Sequence, residues 1–133
     1  MNVDPTVISE RFRGTLAELL GIRVIEASHD RLVAELPFRD ALTTVGGSLH
    51  GGTLMAFADT VGAAATMLNL PPGASTTTLE SKTNFFAAGR SATVRAETTP
   101  LHRGKRTMVW QTRVTDEAGR LLSLTIQTQM VLT

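Results

Sequence analysis

One uninterrupted stretch, from His50 to Leu70, constrains the fold more than any other part of the sequence. It reads HGGTLMAFADTVGAAATMLNL, and Ala, Leu and Met dominate it without a proline until Pro71. This composition predicts a helix over about 52–69. Because the helix is apolar on nearly every face, we expect the rest of the protein to bury it on all sides.

Strand-like patterns on both sides of this stretch supply a sheet to bury it. Apolar residues alternate after it, and each break holds a turn glycine. The predicted strands there are at about 75–87, 91–101, 105–116 and 120–132, and two earlier β-like runs lie at 22–27 and 32–36. We expect an α+β fold in which the last four strands form a meander and a long antiparallel sheet curls around the central helix. Pairing with a second chain would cover the exposed edges of such a sheet, which favours a homodimer.

A separate amphipathic helix is predicted near the N-terminus. Asp4 is a suitable N-cap, and Pro5 fits the first helical position. Apolar residues then recur at spacings of three and four, at Ile8, Phe12, Leu16, Leu19 and Leu20. Gly21 is placed to end this helix, and 39–47 is predicted to be a loop, either irregular throughout or with one helical turn.

Length and composition limit the class of protein. The chain has 133 residues, 42% hydrophobic and 19% charged, which is typical of one globular domain over 1–133. A net charge of +1 argues against a dedicated nucleic-acid binder. The absence of cysteine excludes disulfides and a cysteine nucleophile, and the three widely spaced histidines give no start for a metal site. We expect no cofactor, no membrane span and a cytoplasmic location.

Asp59 stands out inside the apolar helix. Between positions 41 and 79 it is the one Asp, Glu, Lys or Arg. A buried carboxylate costs several kcal/mol unless it is paired or hydrogen-bonded. It is either a structural residue, satisfied by hydroxyls such as those of Thr60 or Ser48 or capping a helix that starts late, or a catalytic base.

The start of the same helix offers a site for negative charge. His50, Gly51 and Gly52 leave backbone N–H groups free at a helix N-terminus, and glycine lets a substrate approach the backbone closely. Such a donor can stabilise the oxyanion formed when a carbonyl is attacked. An ordinary glycine-rich helix entry is the alternative interpretation.

The spacing of these features indicates two chains. Gly51 and Asp59 are eight residues apart, which is about 12 Å along a helix. A base must lie about 3 Å from its target. If the two residues cooperate, they come from different subunits whose central helices run antiparallel.

The stretch G-S-L-H-G-G-T-L-M-A-F-A-D-T, from Gly47 to Thr60, resembles the signature of the PaaI-like acyl-CoA thioesterases of the phenylacetate-degradation type. The later P-L-H-R-G-K-R-T-M-V-W-Q-T-R-V-T-D-E-A-G-R is similar to that family's closing strands. The resemblance covers roughly 15–133. It implies a hotdog fold and hydrolysis of an acyl-CoA, aromatic or short to medium in chain length, to free acid and CoA.

The resemblance also implies roles for single residues. Asp59 matches the family's catalytic carboxylate, which acts as nucleophile or as general base on water. Gly51 matches the residue whose N–H polarises the thioester carbonyl from the opposite subunit, and His50 matches the histidine that shapes that site. Thr78 falls near a Ser or Thr that in some members hydrogen-bonds the attacking water. The implied partners are an acyl-CoA and further copies of the chain, as a dimer or a dimer of dimers.

Thr44 departs from the family pattern. Six residues before the motif histidine, many members carry an Asn or Gln that also touches the thioester carbonyl. A hydroxyl donates one hydrogen bond and reaches less far than an amide. Either Thr44 substitutes weakly in substrate binding, or the substrate is held differently.

Basic and aromatic residues offer further candidates for substrate contacts. Arg103 and Arg106, beside a predicted hairpin turn, suit the phosphates of CoA. Charged residues at turns are also commonly just solvated. Phe57 and Phe85 suit an apolar acyl slot, although core or interface packing explains them equally.

Two other functions stay open at this point. One is a hotdog protein that binds acyl-CoA or another ligand without turnover, and Thr44 keeps that alternative open. The other is hydration or dehydration of acyl thioesters, which needs an acid–base pair that usually includes a histidine. Asp59 lies too far along the helix from His50 to form that pair.

Overall fold

A computed structural model describes residues 2–90 and 92–133 of the protein. One antiparallel sheet of seven strands wraps around a long helix, which confirms the expected α+β hotdog architecture. The elements in chain order are β1 (Asn2–Val3), α1 (Pro5–Glu10), α2 (Leu16–Leu20), β2 (Arg23–Ser28), β3 (Leu32–Pro37), a 3-10 turn (Asp40–Leu42), α3 (Gly51–Met67), β4 (Ser75–Phe85), β5 (Thr93–Arg103), β6 (Thr107–Thr115) and β7 (Leu121–Leu132).

The N-terminal segment begins as predicted but does not form a single helix. The Asp4 carboxylate accepts the Thr6 backbone N–H at 3.0 Å, and its bonds to Thr6 hold the pKa of Asp4 below its usual value. The prediction of one continuous helix is wrong, because the chain turns at Gly14 with a φ of +75°, a conformation that favours glycine. Gly21 ends α2 in the left-handed region, as expected.

The break also changes which apolar side chains are buried. Ile8 and Leu20 join the core, whereas Leu16 and Leu19 are 58% and 69% exposed. The apolar face expected for one straight helix is therefore divided between two short helices. Leu16 is left at the surface beside α3.

The central helix lies close to its predicted position, since α3 runs from Gly51 to Met67. Leu54, Phe57 and Val61 pack into the core. The prediction of burial on every side is wrong for the single chain, because one stripe of the helix is exposed or half-buried. The stripe consists of Gly52, Met55, Ala56, Asp59, Thr60, Ala63 and Met67. Among the described residues, no helix combines the length and apolar character that a membrane crossing requires.

The four late strands occur where the sequence predicts them, but they do not form a simple meander. The predicted residue 91 of the second strand, Ser91, lies outside the described residues. The strand order is β1-β2-β3-β5-β6-β7-β4, so β4 pairs with β7 and β5 pairs with β3. The chain crosses over between β4 and β5, where the Leu49 N–H donates to the Gly89 carbonyl. The break after the first late strand is therefore a crossover and not the hairpin turn of a meander.

This order leaves a long edge strand. β4 has 11 residues and pairs only with β7, so its other edge offers unpaired backbone groups within the described part of the chain. The opposite edge of the sheet ends in β1, which has two residues. An open edge of this length is a template for pairing with another chain.

The alternation in β7 places polar residues inside. Ser123, Thr125, Gln127 and Gln129 face α3 and are completely buried. The apolar series that alternates with them lies largely on the outer face, where Ile126 is 38% exposed. The helix is thus covered by a polar strip in the region of Asp59.

Gly62 allows this strip to approach the helix. A Cβ atom at Gly62 would lie 2.7 Å from Gln127 Nε2 and closer still to Gln127 Oε1. The bare helix backbone therefore makes room for the Gln127 amide. Among the described residues, Oε1 of this buried amide has no hydrogen-bond partner. The hydrogen bonds of Nε2 therefore determine how the Gln127 side chain is oriented.

We predict that Gly62→Ala lowers the free energy of unfolding by about 1–3 kcal/mol, because the new methyl group collides with the Gln127 amide. In a Gln127→Ala background the same change is expected to stabilise the protein by about 0.5–1 kcal/mol, since alanine is the better helix former. Urea unfolding of the four variants in this double-mutant cycle gives the coupling. An equal cost in both backgrounds would contradict the packing account.

Candidate active site

Asp59 lies in the middle of α3, on the exposed stripe, and is half-buried. Because α3 is continuous from Gly51, Asp59 is not the N-cap of a later helix. The Thr60 hydroxyl donates to the Ala56 carbonyl at 2.8 Å and so does not satisfy the carboxylate. The partners of Asp59 come from the sheet.

Two side chains hold one oxygen of this carboxylate. Thr78 on β4 lies with its Oγ1 2.7 Å from Asp59 Oδ1, so the structure brings together these two predicted site residues. Gln127 on β7 donates from Nε2 to the same oxygen at 3.0 Å. Within residues 2–90 and 92–133, no donor contacts Asp59 Oδ2. The carboxylate is therefore oriented through one oxygen while the other is available for chemistry.

A chain of buried amides and hydroxyls supports this arrangement. Gln129 Oε1 lies 2.6 Å from the Thr78 hydroxyl and 2.9 Å from Gln127 Nε2. The Gln129 amide nitrogen in turn donates to Thr76 Oγ1 at 3.1 Å. A hydroxyl carries one proton, so Thr78 donates either to Asp59 or to Gln129 at a given moment. The network fixes the Asp59 side chain from the side of the sheet.

Sequence reasoning missed Gln127 and Gln129. Their signal is the Q-T-Q of 127–129, in which two amides stand two residues apart in a strand that alternates apolar and polar residues. Alternation alone does not say which series faces the helix. The pairing of β7 with both β4 and β6 is needed to place these glutamines inside.

Among the residues that the structure describes, the N-terminus of α3 keeps one free donor. His50 is the N-cap residue, and its Nδ1 accepts the Gly52 N–H at 2.7 Å. The expectation that Gly52 offers a free N–H is therefore wrong, because the histidine ring occupies it. The Gly51 N–H donates to no acceptor within the described residues, and it lies at the positive end of the helix.

The two phenylalanines considered for an acyl slot have different surroundings. Phe57 is completely buried and belongs to the core. Phe85, at the end of β4, is 49% exposed and lies over the helix start, where a Cβ at Gly51 would be 3.2 Å from its Cζ atom. Phe85 thus borders the free donor, whereas Phe57 does not.

One chain does not bring the donor and the carboxylate together. Gly51 and Asp59 lie on the same continuous helix, so their eight-residue separation corresponds to about 12 Å. A carbonyl oxygen bound at Gly51 is therefore out of reach of Asp59 in the same chain. If the two groups act on one substrate, a single chain does not hold the complete site.

Thr44 lies in the exposed loop before α3. Its N–H donates to the Ser48 carbonyl at 2.8 Å, and its own carbonyl accepts the Gly47 N–H at 3.0 Å. The Thr44 hydroxyl forms no hydrogen bond within the described residues. The turn therefore fixes the Thr44 backbone while its side chain stays available at the surface.

The basic candidates differ in how they are engaged. Arg103 donates from Nη1 to the His29 carbonyl and to Asp30 Oδ1, both at 2.9 Å, and lies 3.3 Å from Asn69 Oδ1. These bonds connect the end of β5 to the β2–β3 turn and to the segment after α3, which argues against a contact between Arg103 and CoA. Arg106 is exposed at the same turn and has no ion pair among the described residues.

An open groove of about 300 Å³ runs from Asp59 along α3. The α1–α2 segment forms its other wall. Its apolar lining comes from Phe12, Leu16, Ala63, Ala64 and Met67. An apolar groove that begins at the oriented carboxylate is a suitable place for the hydrocarbon part of a substrate.

Comparisons with known proteins identify the family of this chain. The model of the thioesterase superfamily matches residues 46–123, from the loop before α3 into β7. The 1,4-dihydroxy-2-naphthoyl-CoA hydrolase of Escherichia coli strain K12 is 33% identical over 108 residues, which cover 81% of this chain and 79% of that protein.

Solved structures of similar fold also include a thioesterase. A thioesterase of Haemophilus influenzae has a TM-score of 0.94 and 26% identity, covering 100% of this chain and 93% of that chain. The E. coli PaaI protein, from the phenylacetic acid degradation operon, shares the fold with a TM-score of 0.86 and 21% identity, covering 96% of this chain and 91% of that chain. With its family match and its fold, the chain belongs to the thioesterase superfamily and is a thioester hydrolase with the fold of PaaI.

Proposed function

We propose that the protein hydrolyses an acyl-CoA to a free acid and CoA, with an aromatic or a short- to medium-chain acyl group. The observation that carries this proposal is the half-buried Asp59, which Thr78 and Gln127 hold by one oxygen at the mouth of an apolar groove. A relative that is 33% identical carries the name of an aromatic acyl-CoA hydrolase, which supports the same substrate class.

Asp59 activates the attack on the thioester. Its free oxygen either takes a proton from water as the water oxygen adds to the carbonyl carbon, or attacks that carbon itself. Both routes lead to a tetrahedral oxyanion. When this collapses, the carbon–sulfur bond breaks. On the first route the protonated Asp59 returns its proton to the leaving sulfur, and the free acid and the CoA thiol are released. On the second route the CoA thiolate takes a proton from a water molecule, and the resulting hydroxide hydrolyses the mixed anhydride on Asp59 to release the acid and regenerate the carboxylate.

A second subunit supplies the oxyanion donor. The N–H of Gly51 of the partner subunit polarises the thioester carbonyl, and the positive end of its helix stabilises the developing charge. Each dimer then holds two equivalent sites, and each site combines one Asp59 with one Gly51. His50 keeps the helix start in place through its bond to Gly52.

The two-subunit site determines the symmetry of the dimer. If residue 59 of one helix meets residue 51 of the other, the two-fold axis passes beside their midpoint, residue 55. Met55 lies on the stripe of α3 that a single chain leaves open and is 37% exposed. Pairing of the free β4 edges extends the sheet across the same axis. Assembly into a dimer of dimers and a cytoplasmic location remain predictions.

Binding of acyl-CoA without turnover is the second candidate function. Thr44 supports it, because its short hydroxyl stands where many relatives of this type offer an amide. Hydration or dehydration is less well supported. The Nδ1 atom of His50 already accepts the Gly52 N–H, which leaves this histidine poorly placed to act as the base.

We predict that Asp59→Asn lowers turnover of acyl-CoA at least about 100-fold, because the amide keeps the volume but cannot accept the proton or attack. CoA release is followed with a thiol reagent, to which this cysteine-free protein contributes no background. Asp40→Asn is the matched control, since Asp40 is exposed and its carboxylate forms no bond within the described residues. Full activity of Asp59→Asn would refute the assignment, and a folded wild type inactive on every thioester tested would favour the binding protein.

The proposed dimer axis predicts a specific cross-link. Met55→Cys is expected to form a covalent dimer on oxidation or with a short thiol-reactive bifunctional reagent, because the introduced thiol faces its symmetry mate across the axis. Met67→Cys is the control: Met67 is about equally exposed, at 36%, but lies about 18 Å farther along the helix. Cross-linking of Met67→Cys and not of Met55→Cys, measured on denaturing gels, would contradict this arrangement.

A further inference from the structure

The groove beside Asp59 contains a second charged residue that the proposed reaction does not use. Arg11 lies just after α1 and lines the groove together with Asp59. It also borders the adjoining apolar hollows around Ala64 and Met67. The groove therefore has a carboxylate at the mouth and one guanidinium along its wall among the residues that the structure describes.

The Arg11 guanidinium is available for a ligand. Within residues 2–90 and 92–133 it forms neither an ion pair nor a hydrogen bond, although acidic residues of the same segment lie close in sequence. The neighbouring Arg13, in contrast, pairs with Glu10 at 3.2 Å. Arg11 is thus the arginine of this segment that is left free to bind an anion beside the groove.

The rest of the groove offers few polar groups. Its two threonine hydroxyls already donate to backbone carbonyls, Thr15 to Phe12 at 2.6 Å and Thr60 to Ala56 at 2.8 Å. The amide-rich pantetheine arm of CoA would leave its polar groups unpaired against such a wall. An apolar chain that ends in an anion can pack against the apolar lining of the groove and form an ion pair with Arg11.

On the basis of the proposed function, we propose that this groove binds the acyl group and that Arg11 binds a carboxylate at its far end. The substrates favoured by this arrangement are ω-carboxyacyl-CoA thioesters. The helix from Asp59 to Met67 spans about 12 Å. An extended acyl chain advances about 1.25 Å per carbon–carbon bond, so eight carbons span about 9 Å, and the hydrogen bond to the guanidinium covers about 3 Å more.

Two thioesters of equal length test the proposal. Suberyl-CoA and octanoyl-CoA each carry eight acyl carbons and the same CoA, and they differ in the terminal carboxylate. We expect the wild type to have the higher kcat/KM for suberyl-CoA. Arg11→Gln is expected to lower that value at least about tenfold and to leave octanoyl-CoA within about twofold. Arg13→Gln, which removes a neighbouring arginine outside the groove, is expected to change neither.

The outcomes separate this proposal from the proposed function. An equal loss on both thioesters would overturn it and would assign Arg11 to the CoA phosphates, which both ligands share. Unchanged kinetics in Arg11→Gln would overturn it as well. Dissociation constants for both thioesters are also measured in the Asp59→Asn background, where turnover is not required. A loss of suberyl-CoA affinity alone on Arg11→Gln supports the carboxylate site even if the wild type hydrolyses neither thioester.

Discussion

The hydrogen bonds to Asp59 are the interaction on which much of the structure depends. A carboxylate on an apolar helix must find polar partners, or its removal from water costs several kcal/mol. Those partners are Thr78 from β4 and Gln127 from β7, with Gln129 behind them. These partners reach Asp59 because the polar residues of β7 face the helix and because β4 pairs with β7. The absence of a side chain at Gly62 leaves space for the Gln127 amide.

On the roles proposed for Asp59 and Gly51, one chain is not a complete enzyme. A base and an oxyanion donor on one rigid helix are fixed about 12 Å apart, a distance that no side-chain rotation closes. A second copy of the helix running in the opposite direction removes this constraint. The uncovered stripe around Met55 and the unpaired edge of β4 are what such a copy would cover.

Local patterns in the sequence were sufficient for most elements. Helix α3 and the late strands lie close to their predicted bounds, and Asp59 is identifiable because it is the one charge in a long apolar segment. Most of the errors concern the pairing of strands that lie far apart in sequence. The partner of β4 and the inward face of β7 depend on contacts between strands far apart in sequence, so Gln127 and Gln129 could not be recognised. Gly14 divides the N-terminal helix although the apolar spacing continues through it.

Complementation between two inactive variants tests the two-subunit site most directly. Gly51→Pro removes the donor N–H at a helix position that tolerates proline, and the extended His50 backbone suits the residue before it. Gly51→Ala is the control that keeps the N–H. Mixing Gly51→Pro with Asp59→Asn subunits through refolding is expected to restore about a quarter of wild-type turnover, because half of the dimers then hold one intact site. No activity above that of the separate variants, in mixtures shown to contain hybrid dimers, would contradict a site shared between subunits.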